Sequence, residues 1–126
     1  MRSRGYAEAG LGELVALPAA PDVCEPAWHL YVVCHPEAAQ LEGLLSEAGV
    51  GARGYYRTPI HRQPGMARWG AGVELPVTDE LARTNLALPM SPVLGAAQAR
   101  EVTAAISHAL VRCPGSWVHA ERGFPL

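Results

Sequence analysis

One stretch of the chain concentrates side chains able to hold a polar ligand: Tyr55-Tyr56-Arg57-Thr58-Pro59-Ile60-His61-Arg62-Gln63-Pro64. Two phenols, two guanidiniums, an imidazole and an amide fall within ten residues, and two prolines restrict the backbone between them. Arginine offers paired donors to a phosphate, tyrosine a stacking face with a hydroxyl, and histidine a donor or acceptor near neutral pH. Such a set suits a polyhydroxylated or phosphorylated ligand. A surface loop whose Tyr and Ile pack down while its Arg residues are solvated has the same composition. Residue types alone leave both readings open.

Other constellations carry less. Cys24, His29, Cys34 and His35 bring four candidate ligands of two types into twelve residues. Their spacing matches no CxxC-based pattern, and in a strand His29 and Cys34 point to opposite faces, so no metal site is expected. Ser107 and His108 are adjacent on a helix, where neighbours point ~100° apart and cannot pair as nucleophile and base. With no G-x-S-x-G elbow and only two Asp (Asp22, Asp79), no catalytic residue is assigned. All ten cationic residues are Arg, and the chain has no Lys. Any Schiff base and any P-loop lysine are therefore closed to this chain acting alone. Genomic base composition is one sufficient source of that bias; the chemical exclusion holds either way.

The 126 residues carry a net charge of −2 and 49% hydrophobic side chains. That balance suits one globular domain and offers no basic stripe for nucleic acid. No run approaches the ~20 apolar residues of a membrane span. Arg2 and Arg4 are followed by Glu8, Glu13 and Pro18, a poor signal peptide. Three cysteines, an odd number, read as reduced thiols in a cytoplasmic protein.

The elements that must position the 55–64 stretch follow from periodicity and punctuation. Residues 1–27, broken by six Gly and Pro, are expected to be an irregular connection. Residues 28–34 (WHLYVVC) predict a strand, with Trp28, Leu30, Val32 and Cys34 on one face and His29, Tyr31 and Val33 on the other. A helix is predicted over 36–48, with Leu41, Leu44, Leu45 and Ala48 as its stripe and Gly49 as its left-handed stop. Residues 50–56 predict a second strand and 57–72 a long, Pro- and Gly-rich loop. Helices are predicted over 76–84 and 96–112, with Val102, Ile106, Ala109 and Leu110 on one face of the latter. Between them NLALP (85–89) reads as an apolar extended segment, filling core rather than carrying function. The sum is an α+β domain over 28–112, a small, mostly antiparallel sheet with about three helices. Residues 113–126 form a tail without periodicity.

These motifs, in this order, resemble the DegT-type (DegT/StrS) nucleotide-sugar aminotransferases. The matching residues are Trp28-His29-Leu30-Tyr31-Val32-Val33, Ala48-Gly49-Val50-Gly51 before a Tyr-Tyr pair, Thr58-Pro59-Ile60-His61-Arg62-Gln63-Pro64, Leu75-Pro76-Val77-Thr78-Asp79-Glu80-Leu81-Ala82, and Asn85-Leu86-Ala87-Leu88-Pro89-Met90-Ser91-Pro92 with the closing helix. The resemblance spans roughly residues 6 to 110 and concerns only the family's small C-terminal domain. It implies a dimeric fold-type-I architecture and pyridoxal phosphate in the intact enzyme, which passes an amino group, typically from glutamate, to a keto-sugar nucleotide. It also implies that the large domain, with its aldimine lysine and most cofactor contacts, lies outside this chain. No cofactor is then expected to be bound by this chain alone. In the family the loop ending in P-x-H approaches the active-site mouth, which marks Tyr56 and His61, then Tyr55 and Arg57, as substrate-facing candidates. Many members have Pro where this chain has Arg57. The expected partners are a large-domain chain, or further copies of this one meeting through exposed apolar surface. The competing expectation is a stand-alone, non-catalytic module that binds a nucleotide sugar or another protein.

Overall fold

The computed structural model describes residues 4–113. Its centre is a two-stranded antiparallel sheet of β1 (Tyr31–Cys34) and β2 (Asn85–Leu88), paired from Tyr31 opposite Leu88 to Cys34 opposite Asn85. β1 is shorter than the predicted 28–34. The next residue opposite Leu30 would be Pro89, which has no N–H to give a ladder. The carbonyl of Pro89 is taken instead by the Tyr6 hydroxyl at 2.7 Å. Each strand gains one further bridge on its outer edge, Ala16 on Cys34 and Arg53 on Ala87. The strand predicted over 50–56 is thus reduced to a single bridge at Arg53. Beyond it the Tyr55 N–H turns to the Asn85 side chain rather than to a strand.

The faces of β1 divide as alternation requires: Tyr31 and Val33 are buried, while Val32 and Cys34 are half-buried on the opposite side. All four residues of β2 are buried, as a central strand covered on both faces should be. Two helices pack on this sheet and on each other. The first long one, α2 (Ala38–Glu47), buries Ala38, Leu41 and Leu45. It ends at Gly49, whose φ of 76° lets the Gly49 and Val50 amides fold back on the Ser46 and Leu45 carbonyls. The last, α5 (Ala96–Val111), buries Ala99, Val102, Thr103, Ile106 and Ala109 along one stripe. Ser107 and His108 lie on its exposed side.

Residues 1–27 are not uniformly irregular. A short helix, α1 (Arg4–Glu8), and a 3-10 turn (Leu11–Glu13) carry Tyr6 and Leu11, which with Val15 are fully buried in the same core as Val33, Leu41 and Ile106. The Tyr6 ring meets Tyr31 at 5.1 Å, and burial pushes the Tyr6 hydroxyl up to about 12. Two more helices flank the loop region, α3 (Ala67–Gly70) and α4 (Pro76–Thr84), which brings the described helices to five rather than three. Of the predicted tail, only Cys113 lies within the described residues. Among the described residues no helix is long and apolar enough to cross a membrane.

Candidate functional site

The 53–66 segment is held by two polar side chains from outside it, Glu42 and Asn85, and by its own Arg57. Glu42 on α2 accepts the Gly54 N–H at 3.0 Å and the Arg57 Nη2 at 2.8 Å. Asn85, 5% exposed at the junction of α4 and β2, accepts the Tyr55 N–H on Oδ1 at 2.6 Å. Its Nδ2 donates to the Leu81 and Ala82 carbonyls at 2.7 and 3.2 Å, closing the end of α4. Arg57 completes the set: its Nη1 faces the carbonyls of Ala82, Arg83 and Asn85 at 3.4, 3.2 and 2.8 Å. A cation is favourable where a helix leaves its last carbonyls unpaired. Hydrogen bonding from Arg57 holds the Glu42 carboxyl below its ordinary value, against an opposing effect of burial.

Beyond this anchor the chain runs through two 3-10 turns, Ile60–Arg62 and Pro64–Met66, into α3. The turn at 60–62 is tied to α4 by Arg62, whose Nε and Nη2 grip both oxygens of Asp79 at 2.8 and 2.6 Å. That fork holds Asp79 below the ordinary carboxylate value. The His61 Nε2 lies 3.4 Å from Asp79 Oδ1, a contact too long for a good hydrogen bond, and the side chain is only 10% exposed. A Cβ at Gly70 would collide with the His61 carbonyl, so only glycine lets α3 close against this turn.

Two adjoining clefts result. The first, about 690 Å³, lies between the outer face of β1 (Val32, Cys34), α4 (Leu81, Ala82) and the loop bearing Tyr55, Tyr56 and Gln63. The second, about 420 Å³, is lined by His61, Met66, Trp69 and Leu75; Ile60 and Thr78 border both. Tyr56 is 77% exposed at the edge of the first, its ring meeting Tyr55 edge-on at 5.8 Å. Trp69 is exposed beside the second, with the Arg68 guanidinium 3.7 Å from its ring. Burial pushes the Cys34 thiol up, so that side chain meets the first cleft as a neutral group.

Residues 4–107 of the chain match the model of the DegT/DnrJ/EryC1/StrS aminotransferase family. The chain belongs to this family. It is 33% identical over 101 residues to the pleiotropic regulatory protein of Geobacillus stearothermophilus, covering 79% of this chain and 27% of that one. It is 32% identical over 93 residues to dTDP-3-amino-3,4,6-trideoxy-alpha-D-glucose transaminase of Streptomyces venezuelae, covering 73% and 24%. The fold matches the crystal structure of S. venezuelae DesV in complex with a ketimine intermediate, with a TM-score of 0.75 at 32% identity, over 86% of this chain and 31% of that one. The chain spans about a quarter of the length of the curated relatives it matches.

Aminotransferases of the DegT family use pyridoxal phosphate. The residues of this chain do not fit that group. A transaminating pyridoxal phosphate is carried on a lysine amine, and no lysine exists here. The polar groups of the first cleft are phenols, a hydroxyl pair, amides and one thiol. Among the described residues no three His, Cys, Asp or Glu side chains gather as a metal site; Cys24 is exposed while His35 is buried.

The structure brings Tyr55 and Tyr56 together at the first cleft and sets His61 apart in the second. Arg57 faces protein carbonyls and Glu42 rather than open cleft. Two residues that organise the site, Glu42 and Asn85, did not stand out in the sequence. The available signal for Asn85 was an amide opening an otherwise apolar strand; Glu42 offered none, as a solvated helix position looks the same.

Proposed function

We propose that this chain is the small C-terminal domain of a DegT-type nucleotide-sugar aminotransferase, and that it works only when joined to a lysine-bearing large domain. The observation that carries the reading is the pair of open clefts along one face, with Tyr55 and Tyr56 at the edge of one and His61 in the other. A face with Tyr56, Ile60, Trp69 and Leu75 all exposed is a half-site, apolar enough to be covered by another domain. The S. venezuelae relative is named for a dTDP-amino sugar, and a keto-sugar nucleotide is the substrate class we assign. Pyridoxal phosphate, held by the large domain, supplies the amino-transfer chemistry. Tyr56 and His61, with Tyr55, line the sugar side of the assembled site. The large domain is the partner this face fits, on a separate chain or a longer one. Three free cysteines agree with a reducing cytoplasm.

The test is a chimera in which residues 4–107 replace the part they match in the S. venezuelae transaminase. The expected result is amination of a keto-sugar nucleotide by the chimera and none by the chain alone. A folded chimera that takes up pyridoxal phosphate but neither binds nor aminates the nucleotide sugar contradicts the proposal.

A further inference from the structure

The geometry points to Arg57 as a positioning residue: with Glu42 and Asn85 it clamps residues 54–57 so that Tyr55 and Tyr56 stand at the mouth of the first cleft. Four observations converge on it. The guanidinium reaches three elements at once, the Glu42 carboxylate on α2, the carbonyls of Ala82 and Arg83 closing α4, and the carbonyl of Asn85 opening β2. The two residues it straddles have their amides tied to the same partners, Gly54 to Glu42 and Tyr55 to Asn85. The backbone of Gly54 lies so close under the guanidinium that a Cβ there would collide with it. Any side chain at 54 would therefore displace the Arg57 guanidinium from its partners. Finally, the Arg57 side chain is only 30% exposed and already neutralised by Glu42.

This assignment replaces a direct ligand contact by Arg57. A phosphate approaching the guanidinium would meet the Glu42 carboxylate and the α4 carbonyls already bonded to it. A planar fork is the group best suited to the task, since one side chain can satisfy a carboxylate and several carbonyls whose directions differ. A proline at 57 would also stiffen the backbone here, but it could join neither α2 nor β2 to the loop. In this chain the restraint comes from side-chain bonds to the core, and the tyrosines inherit their position from α2, α4 and β2.

The inference rests on the proposed function only for what the tyrosines are placed to touch. The clamp itself is read without any ligand. In the full 126-residue chain, amide hydrogen exchange by NMR follows Gly54 and Tyr55, with Ala16 and Cys34 on the opposite sheet edge as reference. For Arg57→Ala, protection of the Gly54 and Tyr55 amides is expected to fall at least tenfold while Ala16 and Cys34 stay within twofold of wild type. Fluorotyrosine lines of Tyr55 and Tyr56 are expected to shift and merge. Arg57→Lys, which keeps the charge without the fork, is expected to restore only part of the protection. Glu42→Gln keeps the shape and weakens one arm, and should loosen the same two amides by a smaller factor; it decides the matter if Arg57→Ala fails to fold. Unchanged protection at Gly54 and Tyr55, or equal loosening at both sheet edges, overturns the assignment. In the chimera, Arg57→Ala should raise KM for the nucleotide sugar more than it lowers kcat. An intact clamp in a chimera that ignores the sugar would refute the function and leave the clamp standing.

Discussion

Replacing Asn85 with alanine removes a side chain that, like Arg57, joins the end of α4 and the start of β2 to the tyrosine loop. Three hydrogen bonds disappear, at 2.6, 2.7 and 3.2 Å. Their costs differ because their partners are left differently. The Leu81 carbonyl keeps the backbone N–H of residue 85, and the Ala82 carbonyl keeps Arg57 Nη1. Each of those losses is a net bond of about 0.5–1 kcal/mol. The Tyr55 N–H is left without its acceptor, and an orphaned donor costs about 1–3 kcal/mol, toward the lower end where water can reach it. The sum is a destabilisation of about 2–4 kcal/mol, large against the 5–15 kcal/mol typical of a whole domain. Urea denaturation reads it directly: with a slope near 2 kcal/mol/M, the midpoint should fall by about 1–2 M at unchanged slope. A loss below about 0.5 kcal/mol, with the Tyr55 amide as protected as before, would refute the reasoning that Asn85 holds the loop.

The N-terminal segment is tested by Tyr6→Phe, which strips the hydroxyl from the Pro89 carbonyl and should cost about 1–2 kcal/mol, and by Tyr6→Ala, which empties a fully buried site and should cost about 3–5 kcal/mol in the same urea assay. Negligible effects would mean that α1 is not part of the core. Gly70→Ala should push α3 off the 60–62 turn, because the new Cβ meets a backbone carbonyl; a changed Trp69 fluorescence and a loss of about 1–3 kcal/mol are expected, and an unaltered spectrum would contradict it. Acid should weaken the fold in two stages. Burial lowers His35 below its ordinary 6.5, so the unfolded chain takes up that proton first and stability falls as pH drops below about 6.5. Glu42, held low mainly by Arg57, contributes stability above the unfolded carboxylate value that is lost as pH falls through its depressed folded value. A urea midpoint flat from pH 7 to pH 5 would exclude the first stage, and an equal acid response in Glu42→Gln the second.

The helices were the legible part of the fold. The stripes of α2 and α5 and the Pro76 and Gly49 boundaries are local signals, and the structure places those elements within about two residues of the spacing. Both strands were legible as apolar runs, but their ends were not. β1 stops at Tyr31 because its partner runs out at Pro89, a fact of pairing rather than of residues 28–30 themselves. α1 was invisible because five residues with one buried tyrosine show no period. Composition singled out the polar stretch 55–64, yet its internal division was not legible. Which of its side chains face a cleft and which face carbonyls depends on Glu42 and Asn85, fifteen and twenty-eight residues away from Arg57. Both gave too little local signal to be noticed.

The central claim, that the loop carrying Tyr55 and Tyr56 forms the sugar side of an aminotransferase site completed by another domain, is tested most directly by steady-state kinetics of the chimera bearing Tyr56→Ala. The expected result is a KM for the nucleotide sugar raised about tenfold or more, with KM for the amino donor unchanged, the signature of binding energy lost to one substrate. Equal KM values for wild-type and Tyr56→Ala chimeras, with both enzymes folded and active, would contradict it.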